Sequence, residues 1–122
     1  MKKIINNEVH SFHIRRAIDY TKNNYMEPLS LEGMAEHLGL NKCYFCNLFK
    51  KETGKTYSQF LNKVRIEKSK YLLLNTNLSI LEVAFSVGYN NQNYYNMAFK
   101  RITGTTPLKY RNMTIIQIPT VR

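Results

Sequence analysis

Ser30-Leu31-Glu32-Gly33-Met34-Ala35-Glu36-His37-Leu38-Gly39-Leu40-Asn41 returns 49 residues later as Ser79-Ile80-Leu81-Glu82-Val83-Ala84-Phe85-Ser86-Val87-Gly88-Tyr89-Asn90. After one inserted residue the match continues at an offset of 50. It pairs Tyr44-Phe45 with Tyr94-Tyr95, Phe49-Lys50-Lys51 with Phe99-Lys100-Arg101, Thr53-Gly54 with Thr103-Gly104, and Thr56 with Thr106. A repeat of this size means one small supersecondary unit built twice.

Each copy reads as two short helices joined by a tight turn. Leu31, Met34, Ala35 and Leu38 fall at i, i+3, i+4, i+7, and Ile80, Val83, Ala84 and Val87 do the same, so each first helix carries one apolar stripe. Ser30 and Ser79 are natural N-caps, and Ser79 with Glu82 makes a capping box. Gly39 and Gly88 stop these helices. Asn41, and Asn90 or Asn91, then cap a second helix whose inward face is Phe45, Leu48, Phe49 or Tyr95, Ala98, Phe99. Helix, short glycine-containing turn and helix is the helix-turn-helix pattern.

Working outward, Thr56 to about Leu74 reads as one longer helix between the copies. Thr56 and Gln59 form its capping box, Leu61, Val64, Tyr71 and Leu72 its inward face, and Ser69 interrupts that face. About 18 residues at 1.5 Å each give roughly 27 Å, an expectation that suits two adjacent major grooves of DNA. Ser11 to Tyr25 reads as a first helix, and Thr106-Pro107 opens a last short one by the N-cap then N1-proline arrangement. The chain thus divides into an N-terminal extension (1–10), a first helix-turn-helix subdomain (11–55), a linker helix (56–74), a second subdomain (75–111) and a tail (112–122) containing Ile115, Ile116 and Ile118 without a clear partner.

Composition bounds what these helices can do. At 122 residues and 14.4 kDa the chain fits one compact domain or two very small ones sharing a core, and has no room for separate cofactor and substrate lobes. No apolar run suits a membrane span or a signal peptide, so a cytoplasmic location without membrane contact is expected. Eighteen Lys+Arg against eight Asp+Glu give a formal charge of +10, which attracts phosphate polyanions and on charge alone fits nucleic acid, an anionic membrane, an acidic protein partner or a solubilising surface. All eight acids lie at or before Glu82, while Lys100, Arg101, Lys109, Arg111 and Arg122 follow it.

Two decoys are weighed against this. Cys43-Tyr44-Phe45-Cys46 has the spacing of a redox pair or half a zinc site. The histidines His10, His13 and His37 continue no zinc-finger pattern, and no strand precedes Cys43 as redox motifs usually require. Gly54-Lys55-Thr56 resembles the end of a phosphate-binding loop, but Phe49 stands where the motif needs glycine. No metal, cofactor or enzymatic activity is therefore expected.

The residues from about Ile14 to Arg111 resemble the DNA-binding domain of AraC/XylS-type transcription regulators. The resemblance rests on Ser30-Leu31-Glu32 with Ala35, then Phe49-Lys50-Lys51-Glu52-Thr53-Gly54, Arg65, Ile80-Leu81-Glu82-Val83-Ala84 with Val87-Gly88-Tyr89, and Phe99-Lys100 with Gly104-Thr105-Thr106-Pro107 and Tyr110-Arg111. It implies an all-α fold of about seven helices, with two homeodomain-like three-helical helix-turn-helix subdomains bridged by the linker helix. It also implies the DNA-facing positions, Lys42, Cys43, Cys46 and Asn47 on the first recognition helix and Gln92, Asn93, Asn96 and Met97 on the second. Helical periodicity agrees, since these lie opposite the inward residues.

Asn47, Gln92, Asn93 and Asn96 have the chemistry to pair with adenine, and Cys43, Cys46 and Met97 could contact thymine methyls where other members often carry arginine or another polar residue. The first unit would then contribute less specificity than the second, or the site would be A·T-rich, and exposed thiols there would be oxidation-sensitive. Lys50, Lys51, Lys55, Lys100 and Arg101, with the helix N-termini after Ser30, Thr56, Ser79 and Thr106, are candidates for phosphate contact. Arg65 reads as a structural, paired arginine. Tyr44, Tyr94, Tyr95 and Tyr110 read as packing residues rather than a stacking platform.

The expected function is sequence-specific binding of double-stranded promoter or operator DNA by a nucleoid-associated bacterial regulator, an activator by resemblance. RNA polymerase is a candidate partner, and a dimerisation or effector domain is expected outside this chain. A sequence-non-specific nucleic-acid binder, or an RNA binder, would share the same charge, and a thiol redox enzyme is a third reading.

Overall fold

A computed structural model describes the backbone of residues 2–113 and the side chains of residues 12–113, so the isoleucines of the tail lie outside the described residues. The chain divides into two compact units, Met1–Leu61 and Asn62–Arg122. Seven helices and no strand are found among the described residues.

The first unit contains α1 (Lys2–Asn24), α2 (Leu31–Leu38), α3 (Lys42–Thr53) and the opening turn of α4 (Tyr57–Asn75). The backbone of α1 begins at Lys2, ahead of the Ser11 start read from the sequence; no Pro or Gly in residues 2–10 stops a helix there. Its core joins Ile14 and Ala17 of α1, Met34, Ala35 and Leu38 of α2, Phe45, Leu48 and Phe49 of α3, and Tyr57 and Leu61 of α4. Burying each large apolar side chain contributes roughly 1.5–3 kcal/mol. The Tyr57 hydroxyl sits 2.7 Å from the buried Thr21 hydroxyl, so its one polar atom enters the core with a partner.

The second unit contains the rest of α4, then α5 (Ile80–Ser86), α6 (Gln92–Thr103) and a last helix, α7, over residues 107–113. Val83, Ala84, Val87, Tyr95, Ala98 and Phe99 are fully buried. Tyr89, Tyr95, Phe99 and Tyr110 form a run of ring contacts with centroids 5.5–5.8 Å apart. Arg111 donates through Nε to the Leu73 carbonyl (2.9 Å) and through Nη2 to the Thr76 carbonyl (3.3 Å), joining α7 to the end of α4, where cationic donors suit unpaired carbonyls.

The caps read from the sequence are present. Ser30 accepts from the Gly33 amide (3.0 Å), Ser79 and Glu82 form a reciprocal box, and Thr56 with Gln59 forms another at 2.9 and 3.1 Å. Asn91 rather than Asn90 caps α6. Both turns close alike, with Leu40 donating to the Ala35 carbonyl (2.8 Å) and Tyr89 to the Ala84 carbonyl (3.0 Å).

Two side-chain expectations are corrected. Tyr71 is 66% exposed, while Ile66, Ser69 and Leu73 are buried in its stead. Ser69 is tolerated inside because its hydroxyl donates to the Ile66 carbonyl (2.8 Å). Tyr44 and Tyr94 are not core residues but 52% and 45% exposed, whereas their neighbours Phe45 and Tyr95 take the inward positions.

Candidate nucleic-acid interface

The outer faces of α3 and α6 follow from what their inner faces bury. Asn41 Oδ1 accepts from the Tyr44 amide (3.0 Å) and Asn91 Oδ1 from the Tyr94 amide (2.9 Å), fixing each helix start at the same register. Phe45, Leu48 and Phe49 on one helix, and Tyr95, Ala98 and Phe99 on the other, then point inward. Lys42, Cys43 and Asn47 are left exposed with Cys46 half-buried; Asn93 and Met97 are exposed with Gln92 and Asn96 half-buried. The eight positions therefore form one outer face per helix.

These faces are not equally free. The Lys42 ammonium lies 3.0 Å from the Glu32 carboxylate of α2, both side chains being exposed. The hydrogen bond from Lys42 holds the Glu32 carboxyl below the usual range, and the same partner raises Lys42. Lys42 thus already has an anion that any phosphate would have to replace. On α6, Asn96 keeps its Oδ1 buried and without a hydrogen-bond partner among the described residues.

Behind Asn47 runs a feature that sequence reasoning did not single out. Tyr44, Asn47, Leu48 and Lys51 line a shallow depression of about 250 Å³ on α3. The spacing of Tyr44, Asn47 and Lys51 at i, i+3, i+7 was the available signal, obscured by reading Tyr44 as packing.

Lys50, Lys51, Lys100 and Arg101 are exposed in the last turns of α3 and α6. There they also complement the negative end of the helix dipole. Lys55 is half-buried, and its amide is used by the Thr53 hydroxyl (3.1 Å). The Ser30, Thr56, Ser79 and Thr106 hydroxyls each accept from an amide three residues on, at 3.0–3.2 Å. At two of these caps the N-cap amide itself is taken, by Gln59 at Thr56 and by the Glu82 carboxylate at Ser79. Ser30 thus keeps its own amide as a further donor, whereas at Thr106 the N1 residue is Pro107, which has none.

Arg65 is buried, with its guanidinium 5.5 Å from the Tyr89 ring centroid. A second-unit network secures that helix. The Tyr89 hydroxyl donates to Asn62 Oδ1 (2.7 Å), and Asn62 Nδ2 donates to the Tyr94 hydroxyl (3.4 Å). Asn62 was missed because a single asparagine within a long helix carries no periodic signal.

No helix among the described residues is long and apolar enough to cross a membrane. Among them no group of three or more His, Cys, Asp or Glu is placed to hold a metal ion.

With this geometry in hand, residues 34–113 match the profile of a family described as a helix-turn-helix domain. An uncharacterised HTH-type transcriptional regulator of Pseudoalteromonas carrageenovora is 36% identical over 98 residues, which are 80% of this chain and 58% of that protein. The chain spans about a third of the length of several other curated regulators it matches. The C-terminal domain of AraT, a response regulator from Geobacillus stearothermophilus, superposes with a TM-score of 0.81 at 38% identity, covering 84% of this chain and 86% of that one. The DNA-binding domain of AdpA, a global transcriptional factor solved with a target DNA, gives 0.82 at 23% identity, covering 86% and 95%. At that identity the likeness speaks to the fold alone.

Proposed function

The chain belongs to the AraC-type helix-turn-helix family of DNA-binding transcription regulators, and from that premise we propose that it reads two adjacent major grooves of double-stranded DNA, one with α3 and one with α6. The observation that carries this reading is the duplicated frame. Two helices with the same cap, buried face and closing turn present outer faces that differ at every position, Lys42, Cys43, Cys46 and Asn47 against Gln92, Asn93, Asn96 and Met97. A purely electrostatic binder would not need two distinct faces.

In this reading Asn47, Gln92 and Asn93 pair with base edges, Met97 and the two thiols contact thymine methyls, and Asn96 reads through its amide nitrogen. Lys50, Lys51, Lys100 and Arg101 contact flanking phosphates, assisted by the helix start at Ser30 and, more weakly, by Thr56, Ser79, Thr106 and Lys55. The chain acts in the cytoplasm at the chromosome as the DNA-reading part of a regulator. Its sense is activation, with RNA polymerase as the protein contact.

Selection of bound duplexes from a randomised pool tests this. Two enriched blocks about one helical turn, or 10–10.5 base pairs, apart are expected. Asn47→Ala should erase preference in one block and Gln92→Ala in the other, each costing about 1–3 kcal/mol of discrimination. Binding without enrichment would replace this reading with sequence-non-specific nucleic-acid binding. The phosphate contacts should show as a steep fall of affinity with salt, with a shallower slope in Lys100→Ala.

A further inference from the structure

Cys43 and Cys46 are both free thiols, the first exposed and the second half-buried, three residues apart in the first two turns of α3. At the matching positions of α6 stand Asn93 and Asn96, so the shared frame does not require thiols there. Residues three apart on a helix have Cβ atoms about 5–6 Å apart. A disulfide needs about 3.5–4.5 Å, so bridging this pair asks for an approach of roughly 1–2 Å. Cys43 is the second residue of α3, where the backbone amide has no helical acceptor, so its N–H side is free to move while its carbonyl stays within the helix.

We infer that Cys43 and Cys46 are a reversible dithiol–disulfide pair, oxidised by low-molecular-weight disulfides, whose closure weakens DNA binding through α3. The coupling to DNA rests on the function proposed above; the thiol chemistry does not. The exposed Cys43 thiolate attacks a sulfur of glutathione disulfide, giving a mixed disulfide and one glutathione thiolate. The Cys46 thiolate then attacks the Cys43 sulfur and expels the second glutathione. Two protein thiols are oxidised, one glutathione disulfide is reduced, and the two protons reside on the two glutathione molecules. Tightening the turn pulls the Tyr44 amide off Asn41 and moves Lys42 away from Glu32, displacing the outer residues of that turn together. A bridge formed against helical geometry is also easily reduced, which makes the change reversible.

The test uses the full chain, equilibrated over a range of oxidised-to-reduced glutathione ratios, trapped by alkylation and weighed. The expected oxidised species has lost two hydrogen atoms, takes up no alkylating reagent, carries no glutathione and is monomeric in its covalent structure. Stable mixed disulfides or inter-chain dimers alone would overturn the pairing. Affinity for a duplex selected by the reduced protein should fall at least tenfold on oxidation and return with dithiothreitol. In Cys43→Ser and in Cys46→Ser, whatever their reduced affinity, the ratio of oxidised to reduced affinity should be one. An unchanged affinity beside a formed disulfide would overturn the coupling alone. A reduced protein that binds no duplex would overturn the DNA reading and the coupling together, with the mass result still deciding the pairing.

Discussion

Laid over one another at their offset of about 50 residues, the two units agree inside and diverge outside. Phe49 and Phe99 occupy the same fully buried site, and the Thr53 and Thr103 hydroxyls make the same short contacts to the Phe49 and Phe99 carbonyls at 2.8 Å. On the surface, Glu32 and Glu36 of α2 become Leu81 and Phe85 of α5, and the thiols of α3 become the asparagines of α6. The difference teaches which residues hold a helix-turn-helix together and which have been released to do something else.

The most severe way to break this equivalence is Phe49→Ala against Phe99→Ala. Each should destabilise its own unit by about 3–5 kcal/mol in urea denaturation, since each empties a site with no exposure. A loss in one and not the other would mean that the shared core is not shared energetically. Next comes Asn62→Ala, which leaves the buried Tyr89 hydroxyl without its acceptor and should cost the second unit about 1–3 kcal/mol. The first unit's counterpart is Thr21→Val, which removes the hydroxyl 2.7 Å from that of Tyr57.

Smaller again are Gly54→Ala and Gly104→Ala. Both glycines hold φ near +80° to +90°, where an L side chain is strained, yet a Cβ would meet nothing within 4 Å. The cost is therefore backbone conformation alone, about 1–2 kcal/mol, and should be equal in the two units.

The smallest effect at neutral pH, and the sharpest contrast at high pH, is Tyr95→Phe, because the first unit already has Phe45 at that register. Burial pushes the Tyr95 phenol up to about 12, and burial raises Tyr89 as well. A phenol raised on folding stabilises fully below its unfolded value near 10, and that contribution is lost as pH rises through the folded value. The second unit should consequently weaken between pH 10 and about 12. Tyr95→Phe should reduce this loss, as followed by phenolate absorbance alongside circular dichroism. An alkaline transition unmoved by the substitution would remove Tyr95 as its source.

Much of the fold was legible in the sequence because the signals were local and doubled. Caps, stop glycines and i, i+3, i+4 faces each depend on residues within one turn, and a second copy confirmed each assignment. The misreadings fall on α4, which has no copy, and on Tyr44 and Tyr94, whose repetition read as packing. The apolar and polar residues of α4 do not separate cleanly by period, so Tyr71 was placed on the inward face that Ile66, Ser69 and Leu73 occupy. The outer faces of α3 and α6 were legible as positions through periodicity and family resemblance. Their engagements were not, since the Lys42 pair with Glu32 and the buried Asn96 oxygen depend on side-chain conformations that spacing does not encode.

The corners that follow α3 and α6 are each closed by bonds among their own residues. Gly54 donates to the Lys50 carbonyl (2.8 Å) and Lys55 to the Thr53 hydroxyl (3.1 Å), while Gly104 and Thr105 repeat both bonds at 2.8 and 3.2 Å. A bend closed by bonds so local survives being copied elsewhere in a gene. Such a segment can be duplicated first and diversified afterwards, each copy acquiring its own vocabulary without renegotiating how it folds.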